Sequence, residues 1–368
     1  MALPEGLDIE ALLAPLPGDA QHGADIREDF SATSPYNRLR DARSEARDAE
    51  RAQDKGEADA RDPSPLWRTV RELAQKTLTE TTKDLEVAAW LTEALVRSHG
   101  LGGLCAGAQV MRGLAERYWD GLFPLPDEDG METRLSPVTG LNGRDGPGSL
   151  MQPLYMLTLF RRRSDDVPVA LYQYQQAEKL STTSAERRTA FEAMEKEAKA
   201  LDKSAFTAVL SDAWGAREAW EAMANVMDAR AGADGPSTTA VRDLLSGIVD
   251  IAKRYAPADA IAAVGAPPAE PDGGEAAAAD APVSAAAAAA VPQPGRVLTR
   301  DDALRALGEI ADFFRRTEPH SPISYTLDEA VRRGRLTWPE LLSEVVADAN
   351  TRNGILTMLG IRPPPPQA

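Results

Sequence analysis

A single cysteine stands in 368 residues, beside three histidines and an aromatic content of 5%. Each shortage excludes a class of chemistry. Lone Cys105 permits no disulfide within the chain, which suits a reducing compartment. It sits among small apolar residues with His99 across a bend, so it has no base to activate it as a nucleophile. His22, His99 and His320 lie in separate segments and share no ligand spacing with acids or with Cys105, which argues against a zinc or two-metal site. Positive charge is also short: 41 Lys and Arg against 57 Asp and Glu give a net charge of −16. The basic clusters Arg161-Arg162-Arg163 and Arg332-Arg333 are short and lie beside acids. A general nucleic-acid binder needs a basic footprint that releases counterions, so no nucleic-acid partner is expected. Outside an alanine tract, no run of about 18 uncharged apolar residues occurs, and the first twenty residues lack a basic leader. These features predict a soluble intracellular protein that neither carries a signal peptide nor inserts into a membrane.

What is present is helical pattern. In residues 88–129, Ala88, Leu91, Ala94, Leu95 and Ser98 recur at three- and four-residue spacing. The Gly100-Leu101-Gly102-Gly103 turn is too short to span anything, so a second helix must fold back antiparallel. That helix has a matching stripe of Ala108, Met111, Leu114, Ala115 and Tyr118. Gly121 and Pro124 end it, one by permitting left-handed geometry and the other by forbidding continuation. The result is an αα-hairpin without chemistry, which points to packing and recognition.

Ser34-Pro35 supplies an N-cap and first-turn proline for a charged helix to residue 54, whose end frays into a polar loop. Pro65-Leu66-Trp67 opens another helix, with Trp67, Val70, Leu73, Ala74 and Leu78 on one face. The glycine-rich stretch from Gly140 to Gly148 lacks the Gly-Lys-Ser/Thr ending and a leading strand, so it reads as a loop and not a phosphate cradle. Leu154–Phe160 and Val167–Tyr174 read as a small β-hairpin. Three helices follow, beginning at Ser184, at Lys203-Ser204 and at Pro236-Ser237. Their Met and aromatic stripe, including Phe206, Trp214, Trp220, Met223 and Met227, is core material and not a cofactor box. From Ala258 to Gly295 the composition turns to Ala, Pro and acids, a linker signature. A last domain is punctuated by capping boxes at Thr299/Asp302 and Thr337/Glu340 and by an N-cap and proline at Ser321-Pro322. Leu304, Leu307, Ala311 and Phe314 mark the buried face of its first helix, and Ile323, Leu327, Ala330 and Val331 that of its second. About 65 residues make a weak core alone, and oligomerisation is the usual remedy.

Trp90-Leu91-Thr92-Glu93-Ala94-Leu95, His99-Gly100-Leu101 and the Tyr118–Asp129 run are similar to motifs of the ImpA-type N-terminal domain of type VI secretion TssA proteins. Pro17-Gly18-Asp19-Ala20 and Gly23-Ala24-Asp25-Ile26 resemble that family's opening loop, and Glu318–Pro322 with Tyr325 resembles the C-terminal domain of its shorter members. The resemblance implies a non-enzymatic assembly scaffold without cofactor, forming a ring-like homo-oligomer through its C-terminal domain. Baseplate, contractile-sheath and tail-tube proteins are the implied partners. The implied location is the bacterial cytoplasm, at the inner face of the envelope beside the secretion apparatus. A transient chaperone of sheath growth or a sheath cap is the alternative role.

The expected architecture is all-α. An N-terminal bundle (1–165, with the small β-hairpin) precedes a middle helical domain (166–257), a linker (258–297) and a C-terminal helical oligomerisation domain (298–363). Ser321 is already occupied as an N-cap, so Glu318 and His320 make no hydrolase with it; they are read as a helix corner or subunit contact. Tyr118, Trp119 and Phe123 either close the bundle or anchor a partner, since Trp and Tyr dominate interface hot spots. With Tyr325, these are the candidate contact residues; no catalytic, cofactor or metal residue is assigned.

Overall fold

The protein was analysed as a computed structural model, which describes residues 4–264 (except 129 and 145), 300–317 and 322–336, together with 340, 341, 344 and 348. It divides into two compact units, Met1–Pro271 and Asp272–Ala368.

The first unit is assembled around one long helical element, α4 (Leu85–Tyr118), which reverses direction at Gly100. Gly100 has φ +55° and ψ −127°, a conformation that side chains resist. The sequence expects a four-residue glycine turn; one glycine makes the reversal and residues 101–103 are already helical. The two arms then come back unusually close. A Cβ on Gly103 would lie 2.0 Å from the Leu95 carbonyl oxygen, and one on Gly107 2.4 Å from Thr92 Oγ1. The expected stripe becomes burial on every side, since each residue from Val87 to Val96 is buried. A hairpin so enclosed must be covered all round, and the remaining helices supply the cover.

On one side lie α1 (Ile9–Leu13), α2 (Pro35–Asp54) and α3 (Pro63–Glu80). Ser34 caps α2 by accepting from Asn37 N–H, as expected, and α3 begins two residues earlier than expected, capped by Asp62. After a 3-10 turn at Trp119–Gly121 come α5 (Met131–Asn142) and α6 (Met151–Tyr155). The expected β-hairpin is present but shorter, with β1 (Thr158–Arg161) antiparallel to β2 (Pro168–Ala170). Helix formers claim the remainder of both segments, α6 before β1 and α7 (Leu171–Ser181) after β2.

The helices expected to form a separate middle domain are α8 (Ala185–Lys199), α9 (Lys203–Ala231) and α10 (Thr239–Tyr255). They do not stand apart. Helix α9 lies against α4 and α10 lies on α9, and one hydrophobic cluster runs from Leu7 to Tyr255. The boundary read between residues 165 and 166 thus falls inside the first unit. The Met and aromatic stripe is core, as expected: Phe206, Trp220, Met223 and Met227 are buried.

A polar joint welds the halves. Helix α10 has no side-chain cap of its own; Asn142, the last residue of α5, accepts from Val241 N–H at 2.9 Å and donates to the Ser237 hydroxyl at 3.0 Å. Asn142 is therefore a cap delivered from 99 residues away. Helix α11 (Ala258–Val264) occupies the start of the expected linker, and residues 265–297 lie outside the described residues.

The second unit shows α12 (Arg300–Thr317) and α13 (Pro322–Gly334) packed together. Leu304 and Ala311 are buried on α12, as the pattern predicts. Ile323, expected inside, is 43% exposed. The capping box at Thr337 and the helix ends beyond it fall outside the described residues. The described structure is thus mostly helical with one small β-hairpin, matching the expected fold class.

Two stability changes are expected. Gly103→Ala forces the arms of α4 apart and should cost at least about 1–3 kcal/mol in urea denaturation, the usual penalty for overpacking. Asn142→Ala leaves the α10 N-terminus uncapped and should cost about 1–2 kcal/mol in urea denaturation, with the two halves of the first unit still unfolding together because they share one core.

Candidate interaction site at the closure of the hairpin

The start and end of α4 meet, and the chain's opening loop meets them both. Lys83 N–H donates to His22 O at 2.7 Å, Phe123 N–H to Lys83 O at 3.0 Å, and Leu85 N–H to Phe123 O at 2.7 Å. Three short segments thus lie hydrogen-bonded side by side: 22–23, 82–85 and 122–123. The opening loop and the aromatic stop are read separately in the sequence, yet in space they are one junction.

Polar side chains fasten this junction from within. Asp84, fully buried, caps α4 by accepting from Glu86 and Val87 N–H at 2.8 and 3.1 Å. Arg27 clamps it, donating to Asp84 Oδ2 at 2.7 Å and to Glu86 Oε2 at 2.6 Å, with its guanidinium over the Tyr36 ring. Burial acts to lower the Arg27 pKa, but Asp84 and Glu86 outweigh it and hold the charge above its usual range.

Among the described residues, the buried cations Lys83 and Arg134 hydrogen-bond only to carbonyls. Lys83 Nζ donates to Leu12 O at 2.8 Å and Leu78 O at 2.7 Å, and lies 5.8 Å from the Tyr118 ring centre. Those carbonyls belong to the last turns of α1 and α3, where helices leave acceptors unsatisfied and carry partial negative charge. Arg134 does the same at the end of the hairpin, donating to Trp119 O at 2.8 Å and Pro124 O at 3.1 Å with its guanidinium over the Trp119 ring. Burial lowers the Lys83 pKa from 10.5 to about 8 and pulls Arg134 down as well.

The candidate contact residues now have places. Trp119 and Phe123 are buried, 8% and 6% exposed, and Phe123 meets the His22 ring at 5.7 Å. Half-buried Tyr118 donates its hydroxyl to Leu13 O at 2.8 Å, pinning the end of α1. All three therefore work inside the junction, and the rims of Tyr118 and Trp119 face an open groove of about 490 Å³ that also holds Gln21, Asp120 and Arg230. Leu125, 46% exposed, offers the apolar area there that the aromatics do not. Tyr325 stands on α13 of the other unit at 69% exposure, and Glu318 and His320 lie outside the described residues.

The residues that sequence reasoning missed are Arg27, Lys83, Asp84 and Arg134. Their one signal is a charge wedged into an apolar or turn context, which periodicity alone reads as surface. Cys105 is buried, and burial raises its thiol pKa. Among the described residues no group of three or more His, Cys, Asp or Glu is placed to hold a metal. Among the same residues no helix is long and apolar enough to cross a membrane.

At this junction the buried polar side chains fasten helix ends to one another. The family model described as the N-terminal region of ImpA, type VI secretion system, matches residues 13–143. The type VI secretion system component TssA1 of Pseudomonas aeruginosa is 31% identical over 346 residues, covering 93% of this chain and 96% of that protein. The chain belongs to the TssA family of type VI secretion system components. In fold it is similar to the N-terminal domain, including the conserved ImpA_N region, of the TssA component from Burkholderia cenocepacia. That likeness has a TM-score of 0.52 and 24% identity over 69% of this chain and 97% of that one. So large a share exceeds what residues 1–165 alone supply, in keeping with a single first unit.

The Lys83 assignment makes a signed pH prediction. Between pH 8 and 10.5 the unfolded chain holds a proton that the folded chain has released, so folding stability rises with pH through that window. Measured against Lys83→Met, which cannot titrate, the wild type should gain up to about 3 kcal/mol from pH 8 to 10.5. A flat difference would show that the buried ammonium is held as comfortably as a solvated one.

Proposed function

We propose that this protein is a non-enzymatic scaffold of the type VI secretion machine, self-associating into a ring through its second unit and presenting its first unit to baseplate and sheath components. One observation carries the reading. The two described helices of the second unit expose four large apolar side chains: Ile310, Phe313, Ile323 and Tyr325. Exposed apolar area of that density marks an association surface, and small domains commonly gain their missing core from neighbouring copies. The first unit buries Trp119 and Phe123 at the hairpin closure and leaves other large apolar side chains exposed for partners, among them Phe30, Leu125 and Met156.

The Ala- and Pro-rich stretch between the two units has, by composition, the character of a tether. Tethered copies raise effective concentration, so that weak single contacts sum to firm attachment on a multi-subunit partner. A standing organiser of the baseplate needs such multivalent hold, and this supports that role over a transient chaperone or cap of the sheath. The protein acts where the machine is built, at the inner face of the envelope.

Light scattering on the full chain tests the ring. The expected mass is a several-fold multiple of the 39.5 kDa chain. Ile310→Glu combined with Tyr325→Glu should reduce it to the monomer, while a chain ending at residue 264 should be monomeric from the outset. A full-length protein that runs as a monomer at micromolar concentration would sink the proposal.

A further inference from the structure

Where α2 crosses the first arm of α4, the carboxylates are shared unevenly among the arginines. Arg43 takes both oxygens of Glu93, at 2.5 and 2.7 Å. Arg97 takes both oxygens of Glu50, at 2.5 and 3.0 Å. Glu86 is engaged by Arg27 at 2.6 Å. Arg47, one turn along α2 from Arg43, is left over. The carboxylate within reach is Glu93 at 3.9 Å, already committed to Arg43, and the Arg47 guanidinium makes no hydrogen bond among the described residues.

Its surroundings are those of an incomplete site. Arg47 and Arg43 open on a slot of about 330 Å³ walled by Trp90, Pro137, Leu141 and Pro147. The Arg47 side chain is 36% exposed, so an incoming group can reach it. Burial lowers its pKa, Glu93 opposes this, and the like charges of Arg43, Arg97 and Arg51 add to the lowering. In a chain of net charge −16, a cation against apolar walls that shares its one carboxylate with Arg43 is a local exception.

We propose that this slot docks an acidic segment of a partner protein, one Asp or Glu carboxylate pairing with Arg47 while flanking residues lie along the Pro137–Pro147 wall. A carboxylate matches the single uncommitted fork of a guanidinium and supplies the missing charge-assisted hydrogen bonds. Inorganic phosphate fits less well. It carries more charge than one free guanidinium neutralises, and the Glu93 and Glu86 carboxylates lining the slot repel the excess. The apolar walls favour a ligand with side chains on either side of the charge. This site lies apart from the second unit and does not depend on the ring.

The test is fluorescence anisotropy on the full chain with a labelled Gly-Ala-Glu-Glu-Ala-Gly peptide and its Gln-Gln counterpart. The glutamate peptide should bind and the glutamine peptide should not. Arg47→Met should weaken binding about tenfold, the scale of one charged hydrogen-bonded pair. Arg112→Ala, which removes an exposed arginine paired with Glu116, should leave it unchanged. Thermal unfolding supplies the second readout: relieved of like-charge repulsion, Arg47→Met should melt at the same temperature as the wild type or higher. Unchanged affinity in Arg47→Met, equal binding of the two peptides, or no binding of either would overturn the proposal. So would displacement by inorganic phosphate at millimolar concentration and matched ionic strength, and so would a drop of several degrees in the Arg47→Met melting temperature, the mark of a purely structural cation.

Discussion

Backbone against backbone is the closest contact an αα-hairpin can make, and in the first unit it occurs where Gly103 faces the Leu95 carbonyl, while one turn on the Thr92 side chain closes against Gly107. No other residue type fits there without pushing the arms apart, and Gly100 alone supplies the dihedral angles that bring them together. The consequences spread outward. Arms so close leave no room between them for large side chains, so Leu91, Leu95, Leu104, Met111 and Leu114 project into surrounding helices and must be covered by them. One hairpin thereby recruits α3 on one flank and α9 on another, which is why residues on either side of position 165 share a core.

Covering a hairpin on all sides raises a problem at its ends. Helices α1, α3 and α4 terminate inside or beside the core, and each leaves carbonyls without intrahelical partners. Lys83 and Arg134 answer that need directly, donating to carbonyls of terminal turns instead of to carboxylates. Buried ammonium and guanidinium groups usually demand acids. Here the aligned peptide dipoles stand in for them, at a solvation cost visible in the lowered pKa of both groups. Helix α2 reaches the same end by another route. With only Leu39, Ala46 and Ala49 buried, it is held to α4 by Arg43–Glu93 and Arg97–Glu50 and by Tyr36 stacked near Trp90.

These two regimes explain what was legible in the sequence. The hairpin, its reversal near Gly100, the Ser34 and Ser184 caps, the β-hairpin and the aromatic core stripe of α9 all follow from local pattern, and the structure has each. Long-range polar pairing follows from no local pattern. Asn142 sits in a glycine-rich stretch that reads as a plain loop, yet it caps α10 ninety-nine residues later. Glu93 sits in an apolar run that reads as one face of a helix, yet it is the buried acceptor for Arg43. The missed boundary at 165 has the same origin, because periodicity reports that a helix has a buried face and not which neighbour buries it. The aromatic stop was recognisable as a motif, while its role was not. Tyr118, Trp119 and Phe123 are spent on closing the hairpin, an outcome fixed by the approach of the opening loop.

The same economy bears on how such a chain engages partners. Where the hairpin closes, Trp119 and Phe123 are buried and the carbonyls of Leu12, Leu78 and Trp119 are capped, so that end of the first unit offers partners little beyond its rim. The contacts proposed for this unit are individually weak: an exposed Leu125, an Arg47 that shares Glu93 with Arg43. Weak contacts suffice when they are repeated on a symmetric array, because copies joined through another surface share their losses of translational freedom. The apolar side chains exposed on α12 and α13 supply a surface of that kind. On the proposed assembly, a firmly folded first unit with small contact patches makes repetition, not affinity, the means of holding a large partner.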